Sequence, residues 1–493
     1  MPSAPGTPGV YVEETGKPFP SVIQVESAIP AFIGYTERDN FQGVSLIANP
    51  KKIRSLAEFV EIYGMAKPVR LQTGAEAGIK IRKENGQLTL DGNLSDPFSS
   101  LVYRLYYSLQ LYFSNGGGPC FIVSCGAYKS DDRVSDVDMA SALQALTGVD
   151  EPTMIVFSDA VSLANADEYY ALCNSALSQC AQLNDRFAII DVYLDAAYNG
   201  AAPFADVESG FRDGIGTDHL SYGASYYPWL KTTLAYLIDE SATSIVRGDG
   251  VLPSDIPDGM VLRNYPGAGE AELSPQDIMV SLYHARNDLY TAIRQEIDQF
   301  KVILPPSPAI AGIYATVDRT RGVWKAPANV MLHCVVEPMV NIGDREQADM
   351  NVTLSGKSVN AIRHFPGQGL LVWGARTLAG NDLEWRYVNV RRFFITVEES
   401  ISKSTQQFVF EPNDSRTWVR VTAMIQNYLD TLWRQGALAG SRLHEACFVQ
   451  VGLGTTMTSQ DIINGLMVIE VGLAVTRPGE FIVLRFYQKM VVP

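Results

Sequence analysis

Apolar residues recur at helical spacing through Phe98, Leu101, Val102, Leu105, Leu109, Tyr112 and Phe113. With Asp96-Pro97 in front and Gly116-Gly117-Gly118 behind, this stripe predicts one helix. The pattern then changes to short continuous apolar runs at Phe121–Ser124, Met154–Phe157, Phe187–Leu194 and Leu220–Tyr227, with a helical stretch at Glu168–Leu183. Continuous runs rather than alternating ones predict strands covered on both faces, as in an α/β sheet. Ser274-Pro275-Gln276-Asp277 has the form of a capping box, and Ile278, Leu282, Ala285, Leu289, Ile293, Ile297 and Phe300 continue it as one long helix. Further along, Leu370–Trp373 and Arg392–Val397 read as strands. A helix is expected from Asp414 or Ser415, with Trp418, Val421, Ile425, Leu429, Leu432 and Trp433 on one face. Cys447–Val451 and Leu466–Val475 read as strands again. Glycines at 74, 78, 86 and 92 mark residues 65–97 as a small β-rich insert.

The two ends share a plan. Val10-Tyr11-Val12-Glu13-Glu14 is a short β-prone run between a Pro/Gly-rich start and a spacer holding Gly16, Pro18 and Pro20. Arg477-Pro478-Gly479 breaks the chain near the other end, and Glu480 to Gln488 follows as one strand rich in β-branched and aromatic residues. Neither strand has a neighbour to pair with locally. Each is expected to be an arm that pairs elsewhere.

Composition narrows the function. The chain has 493 residues, 46% hydrophobic and 19% charged, enough for a large core. Lys+Arg at 39 against Asp+Glu at 54 gives −15, which argues against a sequence-independent nucleic-acid binder. No stretch reaches the roughly 18 apolar residues of a membrane helix, and Glu470 breaks the longest candidate, so direct membrane insertion is not expected. The first residues lack a basic and then apolar leader pattern, so a secretory signal is not expected and the chain reads as one made in a cytoplasm. The six cysteines contain no C-x-x-C pair and read as reduced, buried thiols.

Catalytic signals are thin. Ser355-Gly356-Lys357-Ser358 ends like a phosphate loop, but Asn351 stands where a glycine is needed, so a polar turn is expected. Gly452-Leu453-Gly454 and Gly267-Ala268-Gly269 are turns for the same reason. His333-Cys334 lacks further ligands and reads as a buried pair on a strand. Asp159 and Asp191, with Asp195 close behind, end or interrupt apolar runs where open α/β sheets place catalytic carboxylates. They support one competing reading, a metal-dependent hydrolase. No catalytic residue, cofactor or metal site is assigned beyond that alternative.

The C-terminal third resembles a known family. Pro305-Pro306-Ser307-Pro308-Ala309-Ile310-Ala311-Gly312-Ile313-Tyr314-Ala315 runs into Asp318-Arg319-Thr320-Arg321-Gly322-Val323-Trp324-Lys325-Ala326-Pro327. Phe365-Pro366-Gly367-Gln368-Gly369, Trp385-Arg386-Tyr387-Val388-Asn389-Val390-Arg391-Arg392 and Arg477-Pro478-Gly479-Glu480-Phe481 follow in order. At the front stand Pro8-Gly9-Val10-Tyr11-Val12 and Ile29-Pro30-Ala31-Phe32-Ile33-Gly34-Tyr35. These blocks resemble contractile tail sheath proteins of phages, R-type pyocins and extracellular contractile injection systems.

The resemblance implies an α/β (α+β) chain. Its expected divisions are an N-terminal arm at 1–20, an inner sheath domain from 21–64 plus 303–476, the insert at 65–97, an outer α/β domain at 98–302, and a C-terminal arm at 477–493. It implies a non-enzymatic subunit that assembles in a bacterial cytoplasm, becomes part of a phage tail or phage-tail-like injection particle, forms stacked hexameric rings around an inner tube protein and meets baseplate and terminal cap proteins. Val10, Tyr11, Val12, Glu13 and Glu14, and Phe481, Ile482, Val483, Leu484, Arg485 and Phe486, would add strands to neighbouring subunits. Gly16, Pro18, Pro20, Pro478 and Gly479 would serve as hinges. Tube contact is expected from the helix carrying Arg416, Arg420 and Arg434, or from Ser459–Leu466.

Overall fold

The computed structural model describes residues 22–481, apart from 74–75, 85–86, 195–205, 248–256, 258 and 267–271. The strand expected at 10–14, Gly16, Pro18, Pro20, Gly74, Gly86, Asp195, the turn expected at Gly267-Ala268-Gly269 and residues 482–486 therefore lie outside the described residues. The chain divides into two compact units: Glu26–Phe393, and the chain up to Val25 together with Phe394 onward.

The Glu26–Phe393 unit is built on a nine-stranded sheet. Its strands are β1 Pro30–Thr36, β2 Lys51–Ile53, β3 Cys120–Ala127, β4 Met154–Phe157, β5 Phe187–Asp191, β6 Gly223–Tyr227, β7 Val330–Met331, β8 Asn360–Phe365 and β9 Gly369–Val372. They lie in the order β7-β9-β8-β6-β5-β4-β1-β3-β2. The run from β8 through β6, β5, β4 and β1 to β3 is parallel, while β2 at one edge and the β9–β7 pair at the other are antiparallel. The sheet thus draws on residues 30–53, 120–227 and 330–372, crossing segments that the sequence blocks keep apart.

Continuous apolar runs are what such strands require. All seven residues of β1 are buried. Ala31, Ile33 and Tyr35 share a core with Met139, Ala142 and Leu143 of α1 Asp136–Ala145, and with Cys173, Leu177 and Cys180 of α2 Ala166–Leu183. The intervening Phe32 meets Tyr112 of the helix Leu105–Ser114, with ring centroids 5.1 Å apart. That helix packs against a 15-residue helix, α3 Ser307–Arg321. The approach is close at Gly312, where a Cβ would fall 2.7 Å from the Tyr112 carbonyl oxygen.

Several sequence expectations change in the structure. The stripe from Phe98 begins as a 3-10 turn, Pro97–Ser100, and the α-helix starts only at Leu105. The Asp159 carboxylate accepts the N–H groups of Arg104 and Leu105 and so fixes the later start. The single helix expected after Ser274 is three pieces, Pro275–Met279, Leu282–Ala285 and Asn287–Ile297. It breaks because Val261 pairs with the backbone of Val280 and Leu282 (2.8 and 3.0 Å), using groups a continuous helix would keep. Arg392–Val397 is not a strand but the middle of a helix, α4 Val388–Thr405. Its β-branched residues belong to a longer stripe at helical spacing, and tertiary contacts override their β preference. Last, the 65–97 insert is not self-contained. Its strand Ile79–Glu84 pairs with Ile245–Arg247, and its core includes Leu289, Ile293 and Ile297.

Candidate functional site

The Asp159 and Asp191 carboxylates stand at the carboxyl ends of β4 and β5, as the hydrolase alternative requires, but both are buried and occupied. Asp159 accepts N–H groups from Tyr35, Arg104 and Leu105. Asp191 accepts the Ser307 N–H at 2.9 Å and the Ser307 hydroxyl, and so caps α3. Burial pushes the Asp159 carboxyl up to about 6 and the Asp191 carboxyl up to about 7, against the pull of those hydrogen bonds. These groups fasten helices to strand ends rather than face a cleft. Lys357 of the phosphate-loop look-alike donates to the carbonyls of Arg212 and Ile215, and Gly356 has φ +75, so this segment is a turn. His333-Cys334 falls between short strands rather than on one, and it is not a buried pair: His333 is exposed and Cys334 half-buried, while the other five cysteines are buried.

The other unit holds the site. Its frame is α5 Ser415–Arg434, whose N–H groups at Arg416 and Thr417 are capped by Asp414 at 3.0 and 3.1 Å. Val421, Met424, Ile425, Tyr428, Leu429 and Leu432 form its buried face. A turn with Gly436 at φ +83 leads to β10 Cys447–Gln450, which pairs antiparallel with β11 Glu470–Leu473. Phe448 stands opposite Gly472, and a Cβ there would sit 2.1 Å from the ring, so the pair needs glycine.

Among the described residues this sheet has only these two strands. Both outer edges are therefore without a strand partner among the described residues, and Phe448 is 50% exposed. On one face, Val471 and Leu473 line an open cleft of about 260 Å³ with Phe394, Val397 and Ile401 of α4. A largely apolar cleft, with Glu398 and Ser402 also in its wall, beside strand edges that have no partner among the described residues has the chemistry to accept an extended peptide. Main-chain groups supply bonds, and alternate side chains reach the cleft.

Both chain ends are rooted in this unit. The N–H groups of Ile23 and Val25 donate to Ser404 Oγ (3.2 Å) and Ser400 Oγ (3.0 Å), one helical turn apart on α4. At the other end, Val475 bridges Leu438, and the Thr476 N–H reaches the Ala437 carbonyl at 3.4 Å. Pro478 and Gly479 follow in irregular backbone, a Cβ on Gly479 would meet nothing within 4 Å, and Phe481 is exposed. The serine pair on α4 was missed in the sequence, where the expectation of a strand hid its i, i+4 spacing.

The arginines expected to face a tube are in different situations. Arg420 pairs with Glu411 at 3.5 Å and lies 5.3 Å from the centre of the Phe408 ring. Arg434 pairs with Asp430 at 2.7 Å. Arg416 is exposed and has no acidic partner among the described residues. Ser459–Ile463 is a short helix with Ile463 and Leu466 exposed nearby, and Asn413 Nδ2 donates to the Leu466 carbonyl at 2.8 Å.

Comparison with known proteins places this unit. The phage tail sheath C-terminal domain matches residues 381–489, which include β10, β11 and α5. The helical sheath of the anti-feeding prophage in its contracted state is 30% identical, with 98% of this chain and 100% of that chain aligned and a TM-score of 0.61.

The chain belongs to the contractile sheath family.

A second sheath, from the extracellular contractile injection system PVC in its contracted state, is 28% identical over 99% of both chains, with a TM-score of 0.61. The tail sheath protein of Burkholderia phage BcepMu is 30% identical over 141 residues. That aligned stretch spans 28% of this chain and 29% of the phage protein. Among these sheath proteins, likeness to the phage relative is partial in length, whereas likeness to the anti-feeding prophage and PVC sheaths runs end to end.

Proposed function

We propose that this chain is the structural subunit of a contractile sheath, part of a phage tail or of an extracellular injection particle. It polymerises as stacked hexameric rings around an inner tube protein, associates with a baseplate and a terminal cap, and drives the tube through a target envelope when the sheath shortens. The observation that carries this reading is the sheet of Cys447–Gln450 with Glu470–Leu473, which has only these two strands among the described residues, in a chain whose two ends read from the sequence as strand-forming arms.

In this account Val10–Glu14 of one neighbour and Phe481–Phe486 of another add to those edges. About six main-chain bonds at ~0.5–1.5 kcal/mol each give roughly 3–9 kcal/mol per arm before the cost of ordering it. Repetition along a polymer makes the mesh persistent. Gly16, Pro18, Pro20, Pro478 and Gly479 let the bodies turn while the strand pairing holds. Contraction is the passage from a kinetically trapped extended packing to one of lower free energy, so it needs no nucleotide.

Electron microscopy of the full chain tests this reading. Wide hollow tubes with helical striation are expected from wild type, and only dispersed subunits of unchanged melting temperature from a variant lacking residues 1–14. Full-length sheaths from that variant would refute the arm mechanism.

A further inference from the structure

The sheath reading leaves one conspicuous feature of the α4–α5 connection unused. Phe410 sits at φ +69, a backbone region that a bulky L-residue adopts only under strain. Its side chain is fully exposed, and the neighbouring Val409 is 62% exposed. Neither the strain nor the apolar exposure is repaid by contacts within the subunit.

The turn is nevertheless held firmly. The Val409 N–H donates to the Gln406 carbonyl and the Glu411 N–H to the Phe408 carbonyl, each at 3.1 Å. Arg420 binds Glu411 on one side and covers the Phe408 ring on the other. Asn413 is fixed twice, by its bond to the Leu466 carbonyl and by accepting the Trp418 indole N–H at 2.7 Å. A strained, apolar tip on a braced base is a presented group, not a frayed loop.

The same unit carries a receptor of matching chemistry. On the outer face of α5 an open cleft of about 320 Å³ is lined by Trp418, Val419, Thr422, Ala423 and Val451 among others, none of them charged. Val419 is 68% exposed. Phe410 does not fill this cleft in its own chain, since its ring is fully exposed. The knob lies close to the hole, since Asn413 beside the tip accepts the indole N–H of Trp418 in the cleft wall, yet they are distinct surfaces: copies that each give a knob to the next run head to tail and propagate into an open helix. A helical sheath is the form of the 30% identical relative.

We infer that Val409-Phe410 is a knob that seats in the α5 cleft of a second copy of this chain. The inference rests on the sheath reading. It makes Arg420 a positioning residue that braces the knob.

Three variants test it. Phe410→Gly removes the ring and also relieves the left-handed backbone. The melting temperature of unassembled subunits is expected to stay level or rise, while the protein concentration needed for polymer rises about tenfold or more. Phe410→Cys chains mixed with Val419→Cys chains should give an oxidised cross-linked dimer within polymer that neither variant gives alone. Phe410→Gly polymerising at the wild-type concentration would overturn the inference. So would polymers in which the cysteine pair fails to cross-link, or in which Phe410→Cys is captured by the tube protein instead. Failure of the wild-type chain itself to polymerise would fall on the sheath reading, and the knob would fall with it.

Discussion

The protein carries two sheets of opposite character. In the nine-stranded sheet the central strands are buried on both faces, and helices complete the covering within the same unit. In the two-stranded sheet both strands are edges, and most of their residues are exposed or half-buried. A two-stranded ribbon is marginal in water, and unpaired edges invite another chain. The first sheet is complete within its unit; the second has two strands among the described residues, and we propose that neighbouring subunits complete it. Stability and assembly are therefore separable by mutation.

The sharpest contrast comes from proline. Ile189→Pro in β5 should prevent folding of the body, because a central strand loses a ladder bond and its packing. Val471→Pro should leave the melting temperature of the isolated subunit nearly unchanged and abolish polymer by electron microscopy. Equal loss of stability in both variants would break the comparison. A smaller effect is expected from Asp191→Ala, which strands the Ser307 N–H and hydroxyl. A loss of roughly 1–3 kcal/mol in urea unfolding is expected, with polymer still forming. Tube attachment should respond less. Arg416→Glu is expected to reduce co-purification of the tube several-fold, whereas Arg434→Glu, at a position already paired with Asp430, should matter least. Co-purification unchanged by Arg416→Glu would move the contact to Ser459–Leu466.

A further contrast concerns pH. Asp191 is held at about 7 in the folded protein, against about 3.9 in an unfolded chain. The folded state then binds the proton more tightly, so its contribution is greatest below about pH 4 and is lost as pH rises towards 7. Wild type compared with Asp191→Asn should show this difference across pH 4–7 in urea titrations. A difference independent of pH would contradict the burial of that carboxylate.

Much of this was legible in the chain. The buried strands announced themselves as continuous apolar runs, because a sheet covered on both faces leaves no reason to alternate. Met154–Phe157 has the bounds expected of it, and α5 begins at Ser415 behind its Asp414 cap. The blocks around Pro305, Phe365 and Trp385 carried the family. What failed to show was long-range. Nothing local says that Asp159 starts a helix more than fifty residues upstream, or that Val261 interrupts the stripe after Ser274. Arg392–Val397 misled because Phe393, Ile395 and Val397 suit a strand locally. Yet Arg392 is placed by a buried pair with Asp318 at 2.6 Å, and α4 is fixed by such contacts. The strand edges at 447–450 and 470–473 were visible as apolar runs, but their openness is a property of the folded unit.

Amide hydrogen exchange of the full chain, before and after polymerisation, tests the division between the two sheets most directly. Peptides covering Cys447–Gln450 and Glu470–Leu473 should exchange at least about 100-fold more slowly in the polymer, while Cys120–Ala127 and Phe187–Asp191 stay equally protected in both states. Polymer that leaves exchange at 447–450 and 470–473 unchanged would contradict the account.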